Sequence, residues 1–170
     1  MIKIRNSVFE TNSSSIHAIC VSSKPVDARG LTVTLRIGEF GWEHAWYQDI
    51  DSRASYIYTA ACYIYDRDFY SDFRELLEPY GIEVDKDWDY EAKFNTFDDG
   101  DSYLTNGYID HGGELQEFVD RCLDDADVLI RFIFGEESFV MTTNDNCDYD
   151  DEEDNVQVEA GDNELIWKGN

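Results

Sequence analysis

Three polar segments break into otherwise apolar stretches of the chain: ETNSSSIH at 10–17, YIDHGG at 108–113 and TTNDNC at 142–147. Each lies beside an expected strand or helix end, where binding and catalytic side chains are usually presented. Between them they offer Glu10, His17, Asp110, His111, Asp145 and Cys147 as donors to a divalent metal. Zinc takes about four N, S or O donors at ~2.0–2.3 Å, and imidazole with carboxylate or thiolate suits it best. The donors are far apart in sequence, so only the fold can gather them. His17 and Cys20 are three apart, which on a strand sends them to opposite faces, and His17 is the stronger candidate of the two.

Other chemistry fits these segments less well. Serines and backbone amides can cradle an anion, but ETNSSS lacks the lysine and glycine pattern of a phosphate loop. Serine, histidine and aspartate are all present for nucleophilic catalysis, yet no G-x-S-x-G elbow singles out one serine. Asp110 before His111 also reads as a helix cap with the imidazole in solvent. His44, between the tryptophans of GWEHAW, reads as a packed ring. DNCDYDDEEDNV is not a calcium loop, because its sixth position is Asp150 rather than glycine and its twelfth is Val156 rather than glutamate. Four cysteines without a C-x-x-C pair fit buried thiols better than a zinc ribbon or a disulfide framework.

Charge is the chain's largest anomaly. Thirty-eight Asp and Glu stand against 13 Lys and Arg, a formal net charge of −25 over 170 residues. Such a field repels nucleic acid and attracts basic surfaces. Spread evenly, it would place only two or three net charges on a contact patch of ~800 Å², so a charge-driven interface needs clustering. Residues 145–154 supply it with seven carboxylates, among them Asp148, Asp150, Asp151, Glu152, Glu153 and Asp154, and Asp85, Asp87 and Asp89 form a second run. A solvated acidic loop with no partner would look the same. Halophilic adaptation would also give this acidity, though the wealth of Tyr, Phe and Ile argues against it. No apolar run reaches the ~18–20 residues of a membrane-spanning helix, and MIKIRNSVF lacks a signal peptide's apolar core. These features read as a cytoplasmic protein.

The elements that must position these residues follow from period and punctuation. IKIRNSVF, IHAICVSS, LTVTLRIGEF and ESFVMTT read as strands. From Asp49 the period changes: Ile50, Ile57, Ala61 and Ile64 share one helical face, capped by Asp49 or Asp51. Phe69, Phe73, Leu76, Leu77 and Tyr80 continue at helical spacing to Gly81, completing a helical hairpin. Leu115, Phe118, Val119, Cys122 and Leu123 mark a further helix, and ADVLIRFIFG a short buried one. The stretch 82–108 has no strong period and reads as an irregular excursion with one short strand. VQVEAGDNELIWKGN reads as a closing β-hairpin about Gly161–Asp162–Asn163. The composition, 42% hydrophobic and 15% aromatic, can fill one core. The expectation is a single α+β domain over 1–170, a mainly antiparallel sheet with three to four helices packed on it and an acidic loop at about 145–155.

RNSVFETNSSSIH, with GEFGWE, GYIDH and TNDN further on, resembles a family of small proteins from bacteriophages and mobile elements of Gram-positive bacteria in which a VFETNSSSxH opening recurs. The resemblance spans most of the chain and implies a phage protein without assigning an activity. In size and acidity the chain also resembles anti-CRISPR proteins, inhibitors of type II effector nucleases. That likeness implies a non-enzymatic inhibitor in the cytoplasm of an infected or lysogenic host. It would bind a basic nucleic-acid-handling surface of the effector, block nucleic-acid loading, touch no nucleic acid itself and carry a structural metal, zinc for preference. The competing expectations are a metal-dependent hydrolase using His17, His111 and Asp145, and a phage structural or assembly protein.

Overall fold

The apolar run after the serines becomes the middle of a sheet because Ala18, Ile19, Cys20 and Val21 are all fully buried, as a strand covered on both faces must be. The structure, a computed structural model, describes residues 15–41, 45–98, 100–144 and 162–168. In it, β1 (Ser15–Val21) lies between β9 (Phe139–Asn144) and β10 (Glu164–Lys168), and β4 (Ala45–Tyr47) pairs with the far side of β9. All three pairings are antiparallel, with His17 opposite Thr142 on one side and Lys168 on the other. Alternation sends Ile19, Val21 and Val140 into the main core, and His17 shares their face.

Four helices complete the α+β domain among the described residues: α1 (Ile50–Tyr65), α2 (Tyr70–Leu77), α3 (Gln116–Asp124) and α4 (Ala126–Phe134). Asp49 caps α1, accepting from the Ser52 amide at 2.8 Å. The expected single apolar face of α1 understates its burial, since every residue from Arg53 to Cys62 is buried. This helix is the centre of the fold, touched by α3, α4 and the strand β2 (Thr32–Leu35). Alanines at 54, 60 and 61 let those neighbours approach. Arg53 is buried with them, and its guanidinium donates to the Gly135 and Ser138 carbonyls that end α4 and lead into β9. Burial pulls its pKa down to about 10, still cationic at neutral pH. Asp125 both closes α3 and caps α4, accepting from Asp127 N at 2.9 Å.

Two expectations are corrected. LTVTLRIGEF is not one strand: β2 ends at Leu35, and β3 (Glu39–Phe40) begins a separate pairing after Gly38. The excursion is more ordered than its lack of period suggests, holding β5 (Glu83–Lys86), β6 (Phe94–Thr96), β7 (Ser102–Leu104) and β8 (Tyr108–Ile109). β2 and β5 pair in parallel, as do β3 and β8, while β6 and β7 form an antiparallel pair. Strands of two to four residues are too short for a period to register, and a parallel partner lies far away in sequence. The helical hairpin forms as expected, α2 passing through a short 3-10 turn to Gly81, whose φ of +75° suits glycine. β10 is present, but its expected hairpin partner and the strand IKIRNSVF lie outside the described residues.

Candidate functional site

His17 projects from β1 toward α1 and is fully buried, with Nδ1 2.8 Å from the Tyr56 hydroxyl. Burial, with Tyr47 nearby, raises the Tyr56 pKa well above the ordinary phenol value, so the hydroxyl keeps its proton. The tautomer then decides what Nε2 can do. If Nδ1 accepts from the hydroxyl, a neutral imidazole carries its proton on Nε2. If Nδ1 donates, Nε2 presents the lone pair that a metal or a substrate proton would use.

Nε2 looks toward Asp110 across the backbone of Gly41. A Cβ built on Gly41 would lie 2.9 Å from His17 Nε2 and 2.6 Å from Asp110 Cβ, and the residue's φ is +117°. Both space and conformation demand glycine. Asp110 is delivered there by the parallel β3–β8 pairing, which its own amide extends by donating to the Phe40 carbonyl at 2.9 Å. The Tyr108 hydroxyl donates to Asp110 Oδ1 at 2.5 Å. His111 follows in the left-handed region, φ 52°, at the start of a 3-10 turn over Gly112–Leu115. Its Nδ1 is 3.2 Å from Glu114 Oε1 and its Nε2 3.9 Å from Asp110 Oδ2. The ring is 23% exposed, so the helix-cap reading is corrected on both counts: Asp110 is not the cap, and His111 is not a solvent-facing ring.

The fold thus brings two of the three polar segments to the backbone of Gly41, His17 from the first and Asp110 from the second. The third comes alongside through the β1–β9 register, Ser15 opposite Asn144. Glu10, Asp145 and Cys147 lie outside the described residues, as does His44. Among the described residues no three His, Cys, Asp or Glu side chains gather as a metal-holding group. Sequence reasoning missed Tyr56, Gly41, Tyr108 and Glu114. The tyrosines were anonymous among 11. Gly41 carried a readable signal, a glycine between aromatic residues just after a strand.

The acidic run at 85–89 occupies a different flank. Asp85 is exposed on β5, Asp87 is half-buried and accepts from the Asp89 amide at 3.2 Å, and Asp89 is exposed in the 3-10 turn Trp88–Tyr90. The run at 148–154 (Asp148, Asp150, Asp151, Glu152, Glu153, Asp154) lies outside the described residues. Of the thiols, Cys20, Cys62 and Cys122 are buried, and burial pushes Cys20 up to about 11 and Cys62 to about 12, far from thiolate chemistry. No helix among the described residues is long and apolar enough to cross a membrane. Comparison of the chain with protein-family models, curated proteins and solved structures finds no match.

Proposed function

We propose that this protein is a phage-encoded, non-enzymatic inhibitor that binds a basic nucleic-acid-handling surface, a type II CRISPR effector nuclease being the partner to test first. One observation carries the reading: among the described residues most cations are held by carboxylates of the same chain, while acids such as Asp85 and Asp89 stay exposed. Lys24, Arg29, Arg67, Arg74, Lys86, Arg121 and Arg131 each pair with a carboxylate of this chain. Few cations are thus left to offset the remaining carboxylates, in keeping with the formal charge of −25. A surface of that kind excludes nucleic acid as a ligand and competes with it for a Lys/Arg groove. The protein would act in the cytoplasm of the infected host.

The test is cleavage of a matched DNA target by the purified effector, with this protein added before guide RNA, before target, or after both. Inhibition only in the early additions, weakening from 50 to 500 mM salt, is the expected result. No association at low salt and full cleavage at every order of addition would overturn the proposal.

A second reading rests on a separate observation. SSSIH, GEFGWE and GYIDH, three of the segments that carry the family resemblance, meet at His17, Gly41 and Asp110. That convergence favours a metal-dependent hydrolytic site, or a structural zinc, completed by Glu10, Asp145 or Cys147. Elemental analysis of the purified protein, repeated on His17→Ala, distinguishes them: stoichiometric zinc lost with His17 supports either metal role, and hydrolysis of model esters separates catalysis from structure.

A further inference from the structure

We infer that the turn Trp88–Tyr90 is the docking site for an arginine-rich segment of a protein partner. This rests on the proposed binding of a basic surface and names where and how that surface is held. The argument comes from how the chain treats its own cations. Arg67 lies 3.6 Å over the Phe69 ring and pairs with Asp72. Arg74 lies over Tyr70 and pairs with Glu78. Lys86 lies 5.3 Å from Tyr70 and 5.2 Å from Trp88 while it pairs with Asp68. In each case a ring and a carboxylate hold one cation between them, which is the combination that favours a partly desolvated cation.

The same combination recurs at Trp88–Tyr90, where Lys86 reaches the indole but leaves most of both rings uncovered. Trp88 is 68% exposed and Tyr90 56%, the two most exposed large aromatics of the described chain. Exposed Asp89 lies between them in the chain, and it pairs with no cation among the described residues. Alternation along β5 sends Val84 and Lys86 to one side, where Lys86 and Tyr70 meet the Trp88 ring. Glu83 and Asp85 go to the other, beside Thr32 and Thr34 of β2, so Asp89 is the carboxylate that belongs with the two rings. Charge complementarity selects a cationic occupant, and the flat indole and phenol select guanidinium over ammonium because only the former stacks on them. Nucleic acid is excluded by the same carboxylates.

The experiment measures binding of fluorescent nine-residue arginine and lysine peptides to the full chain at low salt. The arginine peptide is expected to bind at least about threefold tighter. Trp88→Ala should weaken it about fivefold and erase the preference, Trp88→Phe should retain part of it, and Tyr90→Ala should give a smaller loss. Neutralising the acids at 148–154 should weaken both peptides alike and leave the preference intact. Equal affinity for the two peptides, or an unchanged arginine affinity in a folded Trp88→Ala protein, overturns this site while leaving the proposed function standing. Failure of both peptides to bind overturns both proposals.

Discussion

Around His17 the polar groups face each other, whereas along β5 they face water. His17 bonds Tyr56, Asp110 accepts from Tyr108, and His111 reaches Glu114, all beneath or beside the helix layer. On the β5 flank Asp85, Trp88, Asp89 and Tyr90 stand exposed on strands and turns of only three or four residues. The His17–Tyr56 pair in particular defines one geometry in a low-dielectric interior, where an unmatched group is costly. The β5 flank is under less constraint, so substitution there is expected to cost little, as the proposed docking role requires. Stability should therefore be concentrated in one region and recognition in the other.

The largest effect expected of any single substitution lies in the shared core that underpins the first region. Phe132 is fully buried and meets Phe118 edge to face, 5.2 Å between centroids. Phe132→Ala should cost about 3–5 kcal/mol in chemical denaturation, through lost burial plus the cavity left behind. A cost near that of a surface change would mean that the helix layer does not carry the stability assigned to it.

His17→Leu should cost less, about 2 kcal/mol, because it strands the buried Tyr56 hydroxyl without a partner. The comparison sharpens in the double variant. If the pair serves the fold alone, adding Tyr56→Phe removes the stranded hydroxyl and recovers part of the loss. If His17 also holds a metal, the double variant stays well below Tyr56→Phe alone, because the metal's contribution is lost with His17 whichever residue stands at 56.

Asp68 joins the two regions, accepting from the Tyr58 hydroxyl at 2.7 Å and from the Lys86 ammonium at 2.7 Å. Burial alone would raise its pKa, but Lys86, Tyr58 and the Tyr70 amide outweigh burial and hold the carboxyl below its ordinary value. Asp68→Asn should cost about 1 kcal/mol at pH 7, a figure already reduced for solvent at the half-open carboxylate. The sign with pH follows: a lowered folded pKa stabilises fully above the unfolded value of ~3.9 and loses that contribution as pH falls through the folded one. Wild type and variant should therefore converge in stability below about pH 4, read by thermal melting across pH 3–7. A constant gap over that range would remove Asp68 as a charged joint between the regions.

How much was legible in the sequence follows the same division. α1, its Asp49 cap, the Gly81 stop and the β1 and β9 strands could be read because burial imposes a period and a cap needs a short polar side chain. β5 and β8 could not, because parallel partners such as Thr32 and Glu83 are joined only through the tertiary fold, and β6 and β7, three residues each, are too short to show a period. His17 and Asp110 were legible as polar residues out of place among apolar ones. Their meeting was not, since it depends on Gly41 admitting both, and Tyr56 gave no sign among the other tyrosines of α1.

Tyr90→Ala is the smallest change expected and the most direct check on the division. The Tyr90 ring is 56% exposed, and its ordered contacts run through the backbone: its amide donates to the Asp87 carbonyl at 3.1 Å and its carbonyl accepts from Ile37 N at 2.8 Å. Truncation leaves both bonds in place and uncovers no buried polar atom, so stability should move by no more than about 0.5 kcal/mol. A loss of 2 kcal/mol would show the ring to be structural, and the β5 flank would then belong with the core. An unchanged melting curve alongside weakened arginine-peptide binding would separate folding from recognition within one side chain, since the same truncation would leave the first untouched and reduce the second.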